Sequence, residues 1–209
     1  MVTIQRPGST EANVIRFENV SKNYGTLLAV ENLSFDVARG EVVGFLGPNG
    51  AGKTTAMRIL AGYFAPSSGR VFIDGIDLFR HPQKAKRGVG YLPEVVNLYP
   101  DMRVREYLKF VAALKGVRGS LVRPQVDEKM ALCGLEGVSH RLIGRLSKGF
   151  RQRIGLAQAL MGDPEVLILD EPTTGLDPVQ ITEIRNLIRE LGKTRAVILS
   201  THILSEVAM

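Results

Sequence analysis

The segment Gly47-Pro48-Asn49-Gly50-Ala51-Gly52-Lys53-Thr54-Thr55 directly follows the apolar run Val42-Val43-Gly44-Phe45-Leu46. Glycines at this density let backbone N–H groups curl around an anion with no Cβ in the way. The helix formers Ala56-Met57-Arg58-Ile59-Leu60-Ala61, ending at Gly62, add a helix N-terminus with unpaired donors and the positive end of a dipole. Strand, glycine-rich turn and helix in that order make a cradle for phosphate oxygens. In it Lys53 would neutralise the β- and γ-phosphates of a nucleoside triphosphate such as ATP, and Thr54 would ligate Mg²⁺. A plain glycine turn before a helix is the structural alternative.

Two further apolar runs end in polar residues. Val166-Leu167-Ile168-Leu169 leads into Asp170-Glu171, and Ala196-Val197-Ile198-Leu199 leads into Ser200-Thr201-His202. Neither run alternates, which suits central strands of a parallel sheet covered on both faces. Ligands of open α/β sheets bind beyond the carboxyl ends of the strands, so the three runs can deliver Lys53, Asp170, Glu171 and His202 to one crevice. There Asp170 would hold the Mg²⁺ shell, and Glu171 would orient or deprotonate an attacking water. Paired acids at a strand end also serve as helix caps or surface ion pairs. An isolated histidine is more often structural than catalytic, and only its place after the third run singles out His202.

The elements that must position these groups are readable in outline. Residues 14–46 carry strand patterns with turns at Tyr24-Gly25 and Arg39-Gly40, and Val71-Phe72-Ile73 before Asp74-Gly75 reads as another strand. Between Glu94 and Leu146 the period changes: Val104, Tyr107, Leu108, Val111 and Ala112 follow helical spacing, and Val126 to Leu132 reads as a further helix. Ser147 and Gly149 precede a helix over Arg151–Met161 that stops at Gly162-Asp163-Pro164, and its N-terminus is a second anion site. Asp177 as N-cap, Pro178 at the first position and Gln180 at the third start a last helix, with Ile181, Ile184, Leu187, Ile188 and Leu191 on one face. Capping by itself accounts for Ser147 and for Asp177.

The order of the glycine-rich loop, Leu146-Ser147-Lys148-Gly149-Phe150, Asp170-Glu171-Pro172, Gly175-Leu176-Asp177 and Thr201-His202 resembles that of ATP-binding subunits of ABC transporters, from about Val14 to the end of the chain. The resemblance implies an α/β P-loop NTPase fold with a mostly parallel central sheet, an N-terminal antiparallel β-subdomain and an inserted helical subdomain. It implies one domain over 1–209, with the nucleotide-binding core at 14–93 and 151–209 and the helical subdomain, with its signature loop, at 94–150. Tyr24 matches the position where this family stacks an aromatic ring on adenine, although a sheet or turn aromatic would look the same. Ser147 and Gly149 then serve ATP held by a second cassette, in a head-to-tail homodimer or heterodimer, and Asp177 makes a contact across it. His202 senses or stabilises the γ-phosphate, and integral membrane permease subunits carry the substrate. Two positions depart from the family pattern. Glu94, in the loop Gly90-Tyr91-Leu92-Pro93-Glu94, stands where most members have glutamine; it keeps an acceptor for Mg²⁺ or water and loses an amide donor. The signature reads Leu-Ser-Lys-Gly-Phe, with Lys148 adding a cation and Phe150 removing an amide. Both variants resemble the branch serving ABC-2-type exporters. A soluble ABC-type ATPase and a nucleotide-dependent binding module without turnover are the other readings; a small-molecule kinase does not account for Ser147-Lys148-Gly149 before its helix.

Composition sets limits. The 209 residues, 44% of them hydrophobic, suffice for one full core. No apolar stretch approaches the roughly 18 residues that cross a bilayer, and the polar start through Gln5, Arg6, Ser9, Thr10 and Glu11 is not a signal peptide. The expected location is therefore the cytoplasm, peripheral to the membrane through another subunit. A net charge of +6 admits anionic neighbours, but the cations are dispersed and aromatics make up only 6%, without interleaving, so nucleic acid is not expected. Cys133 is the single cysteine, which excludes an internal disulfide and a thiolate cluster and suits a small apolar residue on a helix. The family's cassette normally continues with strands and a helix beyond its switch histidine, whereas only Ile203 to Met209 follow here. The expectation is a truncated chain of weak stability by itself.

Overall fold

The computed structural model describes residues 3–5, 13–48 and 50–201, the first three by backbone alone. A short strand β1 (Thr3–Gln5) comes before the long hairpin of β2 (Asn13–Tyr24) and β3 (Leu27–Ala38), which turns at Gly25 with φ of 59°. Strand β4 (Val42–Leu46) runs into the glycine loop and helix α1 (Lys53–Leu60), followed by β5 (Ser68–Ile73), β6 (Ile76–Asp77), α2 (Pro82–Arg87) and β7 (Val89–Leu92). Two helices, α3 (Val104–Leu114) and α4 (Gly119–Leu132), lead to α5 (Lys148–Leu160), β8 (Val166–Asp170), α6 (Pro178–Gly192) and β9 (Ala196–Thr201).

Two sheets result. The central one has the order β1-β4-β9-β8-β7, with β4, β9, β8 and β7 parallel and β1 antiparallel on the edge of β4. The second, in the order β3-β2-β5-β6, is antiparallel throughout. The three apolar runs are thus adjacent strands, and their carboxyl ends bring Leu46, Asp170 and Thr201 to one edge of the sheet.

Burial on both faces explains why these runs do not alternate. Val166, Ile168, Ala196 and Ile198 face one core with Phe45, Met57 and Ile59, between the central sheet, α1 and the antiparallel sheet. Leu167, Leu169, Val197 and Leu199 face the other, with Leu108, Leu156 and Ile184 from the helices. Each position on such a strand removes apolar area from water, at about 25 cal/mol per Å². An aromatic contact joins the two sheets: Phe35, stacked on Phe17 of the neighbouring strand at 4.5 Å, stands edge-on to Phe45 of the central sheet at 5.3 Å.

Three sequence expectations shift. Gly90-Tyr91-Leu92 is not loop but part of β7, paired in parallel with β8. The strand is short, and its glycine is there because α5 crosses so closely that a Cβ on Gly90 would stand 2.2 Å from the Ala159 carbonyl oxygen. Helix α4 begins at Gly119 and not at Val126, because packing of Val126 and Met130 overrides the poor helix propensity of Gly119, Ser120 and Pro124. Helix α5 begins at Lys148, capped by Ser147, three residues before Arg151.

Candidate functional site

The loop after β4 closes tightly on its own lysine. Lys53 is buried at the first position of α1, and its Nζ donates to the carbonyls of Gly47 at 2.5 Å and Pro48 at 3.1 Å. Gly52 precedes the helix with φ of 89°, and a Cβ there would lie 2.3 Å from the Ala29 carbonyl oxygen on β3, so only glycine fits. No side chain caps α1, which leaves its first-turn N–H groups as donors toward the space in front.

That space is a cleft of about 420 Å³ lined by Gly50, Ala51, Gly52, Lys53, Thr54 and Thr55 together with Tyr24, Glu94 and Glu171. Gly47 and Pro48 adjoin it through the Lys53 hydrogen bonds. Sequence reasoning missed Leu27, Leu28, Ala29 and Thr174, which also line it. Leu27 and Leu28 are 66% and 47% exposed, so they form an apolar rim beside Tyr24. Exposed leucines at the tip of a hairpin were the signal that could have found them.

Asp170 and Glu171 sit at the mouth of β8. Asp170 is 1% exposed, and its Oδ1 accepts a 2.5 Å hydrogen bond from Ser200 Oγ on the neighbouring β9. Burial raises the Asp170 carboxyl above its ordinary value, opposed by the Ser200 hydrogen bond; the nearby Glu94 charge adds to the rise, and Arg58 and Lys53 act against it. Glu171 leaves the strand with φ of 50°, a left-handed conformation uncommon for a side chain of its size. Its N–H donates to the same Ser200 Oγ at 3.0 Å, and its carboxylate accepts from Thr174 Oγ1 at 3.4 Å. Ser200 thus ties both acids to β9, a role no local sequence signal announces.

The remaining expected residues lie elsewhere. Ser147 Oγ accepts from the Phe150 N–H at 3.4 Å and caps α5; Asp177 Oδ1 accepts from the Gln180 N–H at 2.9 Å and caps α6. The two caps interlock, since a Cβ on Gly149 would be 2.4 Å from Gln180 Oε1. Ser147, Gly149 and Asp177 do not line the cleft with Lys53. Gln152, buried in α5, donates to the Pro172 carbonyl at 3.0 Å and joins this helix to the turn after Glu171. Asn49 and His202 lie outside the described residues.

The residues that could hold a metal, Thr54, Asp170 and Glu94, offer oxygen alone, the donor that a hard cation such as Mg²⁺ takes. No cluster of three His, Cys, Asp or Glu suited to a metal occurs among the described residues.

Comparison with known proteins accords with this geometry. The family described as ABC transporter matches residues 30–174. The bacitracin transport ATP-binding protein BcrA of Bacillus licheniformis is 40% identical over 198 residues, which cover 94% of this chain and 64% of that protein. The Nod factor export ATP-binding protein I of Paraburkholderia xenovorans is 41% identical over 197 residues, with coverage of 92% and 64%. The chain therefore spans about 64% of the length of these curated relatives. Among solved structures, an ATP-binding subunit of an ABC transporter superposes with a TM-score of 0.83 at 30% identity, covering 92% of this chain and 80% of that one. The ATP-binding cassette MJ0796, in a dimeric post-hydrolysis state bound to ADP and Pi, gives 0.82 at 26% identity, with coverage of 92% and 90%. A glycine-rich loop at a helix N-terminus, a buried strand-end acid and relatives of this similarity agree on one conclusion: the chain belongs to the ABC transporter family and carries its ATP-binding P-loop NTPase fold.

Proposed function

We propose that this chain hydrolyses ATP to ADP and phosphate and thereby powers transport through a separate permease. The observation that carries the reading is that Lys53, Thr54, Glu94 and Glu171 line one cleft with Tyr24, beside the buried Asp170. In this reading Tyr24 stacks on the adenine. The loop N–H groups at positions 50–52, Lys53 and the first turn of α1 hold the phosphates, and Thr54 and Asp170, with Glu94 beside them, hold Mg²⁺, which when bound neutralises charge on the transferring phosphoryl group. Glu171 accepts a proton from the attacking water as its oxygen bonds to the γ-phosphorus and the bond to the bridging oxygen of ADP breaks. His202 is assigned to the γ-phosphate on the family resemblance.

The split between the cleft and the Ser147–Gly149 cap favours a second cassette. The N-terminus of α5 is exposed at Ser147 and Lys148 and serves no phosphate within the chain, which suits ATP held by a partner in a head-to-tail dimer, with Asp177 at the same interface. Closure around two ATP molecules and opening after hydrolysis would then drive the permease. None of the helices among the described residues is long and apolar enough to cross a membrane, so attachment to the cytoplasmic face is assigned to that permease. Export is inferred from the relatives, two of which are named for bacitracin transport and Nod factor export.

The test is Glu171→Gln. Phosphate release should fall at least about 100-fold, the usual contribution of a positioned base, while ATP stays bound and the dimer is prolonged in light scattering. Undiminished release would remove Glu171 from the reaction. Binding of ATP with no release by the unaltered protein would favour the nucleotide-dependent binding module, to which the Phe150 variant also points.

A further inference from the structure

Tyr24 stands at the end of β2 with 43% of its surface exposed, and a ring so placed on a hairpin has no intrinsic reason to hold one orientation. Three contacts hold it. Phe64, in the turn after α1, stands edge-on to the Tyr24 ring with centroids 6.3 Å apart and planes at 89°. Lys22 Nζ lies over one face of the ring, 5.3 Å from its centroid, and is fixed there by donating to the Ala65 carbonyl at 2.7 Å. The Asn23 N–H donates to Ser67 Oγ at 3.0 Å, and the Ser67 N–H to the Ser21 carbonyl at 2.8 Å, so the whole turn is stitched to the last residues of β2.

We infer that Phe64, carried on this turn, is a positioning residue for nucleobase recognition: together with Lys22 over the ring, it sets the plane in which Tyr24 meets an aromatic base in the cleft. The inference rests on the reading that the cleft takes ATP with its base on Tyr24. The chemistry is consistent. A cation over the ring withdraws charge from it, and a perpendicular neighbour is a favoured arrangement of two aromatic quadrupoles, so the ring is held before any base arrives. A preoriented ring spares the base the entropy of ordering it. Because α1 starts at Lys53 and ends just before this turn, the same helix carries the phosphate cradle at one end and the support of the base platform at the other.

Calorimetric titration of the full chain with ATP, and separately with inorganic tripolyphosphate, which has no base, provides the test. Phe64→Leu should weaken ATP binding roughly three- to ten-fold, the span of one edge-on aromatic pair, with tripolyphosphate binding unchanged. Phe64→Tyr should restore ATP binding, and adding Phe64→Leu to Tyr24→Ala should weaken it no further. Equal losses for both ligands would mean a distorted cleft and would overturn the inference. Loss in Tyr24→Ala with none in Phe64→Leu would overturn it and leave the ATP reading standing. Full ATP affinity in Tyr24→Ala would remove the base platform itself, and the inference with it.

Discussion

At the scale of single residues, the most exposed consequence concerns Asp170. A carboxylate that is 1% exposed, with one hydroxyl donor on Oδ1, costs the folded chain stability when ionised. Its raised value means that the folded state binds the proton more tightly than the unfolded state does, so its contribution to stability is full below about pH 3.9 and is lost as pH rises through the raised value. Asp170→Asn should therefore melt at a higher temperature than the parent near pH 7, with the gap closing at about pH 4 and below. It should also lose Mg-ATP turnover. A melt lower than the parent's at pH 7 would contradict the burial argument. The site in this sense is preorganised at the expense of the fold around it.

Among elements, the joint between α4 and the α5–β8 turn is held by one acid. Asp163, at φ of 50°, accepts from Lys129 Nζ at 2.5 Å and from Gln125 Nε2 at 2.6 Å, while Gln125 Oε1 accepts from the Gly162 N–H at 3.0 Å. Arg195, next to β9, lies 3.7 Å from the same carboxylate. Burial pushes the Asp163 carboxyl up, but the Lys129 ammonium more than offsets it and holds the group below its usual value. Its stabilisation is therefore present at neutral pH and is lost as pH falls below the ordinary carboxylate range. Asp163→Ala strands a lysine that is 1% exposed, although Glu128 remains 2.7 Å from it. Urea unfolding at pH 7 should show a loss of about 1–3 kcal/mol, less than for a fully enclosed pair because Asp163 is half exposed, and the loss should shrink only as pH falls below about 3.9, the ordinary aspartate value. Local signals did reach this level in part. The apolar runs of β4, β8 and β9, the Asp177-Pro178 helix start and the Ser147 cap were legible because each depends on neighbouring residues. Strand β7 and the first turns of α4 were not, since both are settled by packing against distant segments that overrides weak propensity. The Ser200 link to Asp170 and Glu171, and the Phe64 support of Tyr24, join residues far apart in the chain and carry no motif.

For the whole molecule, two cores share the central sheet, and Cys133 reports on one of them. It is fully buried among the helices, and burial pushes its thiol up to about 12, with Arg153 and Lys129 acting weakly the other way. With so little thiolate at pH 8, alkylation by iodoacetamide should be negligible in the native chain and should follow unfolding as denaturant is raised. Fast labelling in buffer would mean that the helical layer opens separately from the sheet. The parallel strands were foreseeable from the apolar runs that end in polar clusters, because a parallel sheet brings the ends of its strands together wherever they fall in sequence, whereas the antiparallel and helical subdomains were implied only by the family resemblance.

Among the described residues strand β7 closes one side of the central sheet, and Lys115 Nζ donates to its Val89 carbonyl at 2.8 Å, with burial holding this lysine below its usual value. An approaching extended peptide would have to evict an ammonium group before it could dock on that rim, so crowded copies of the molecule are steered away from fusing into a continuous ribbon.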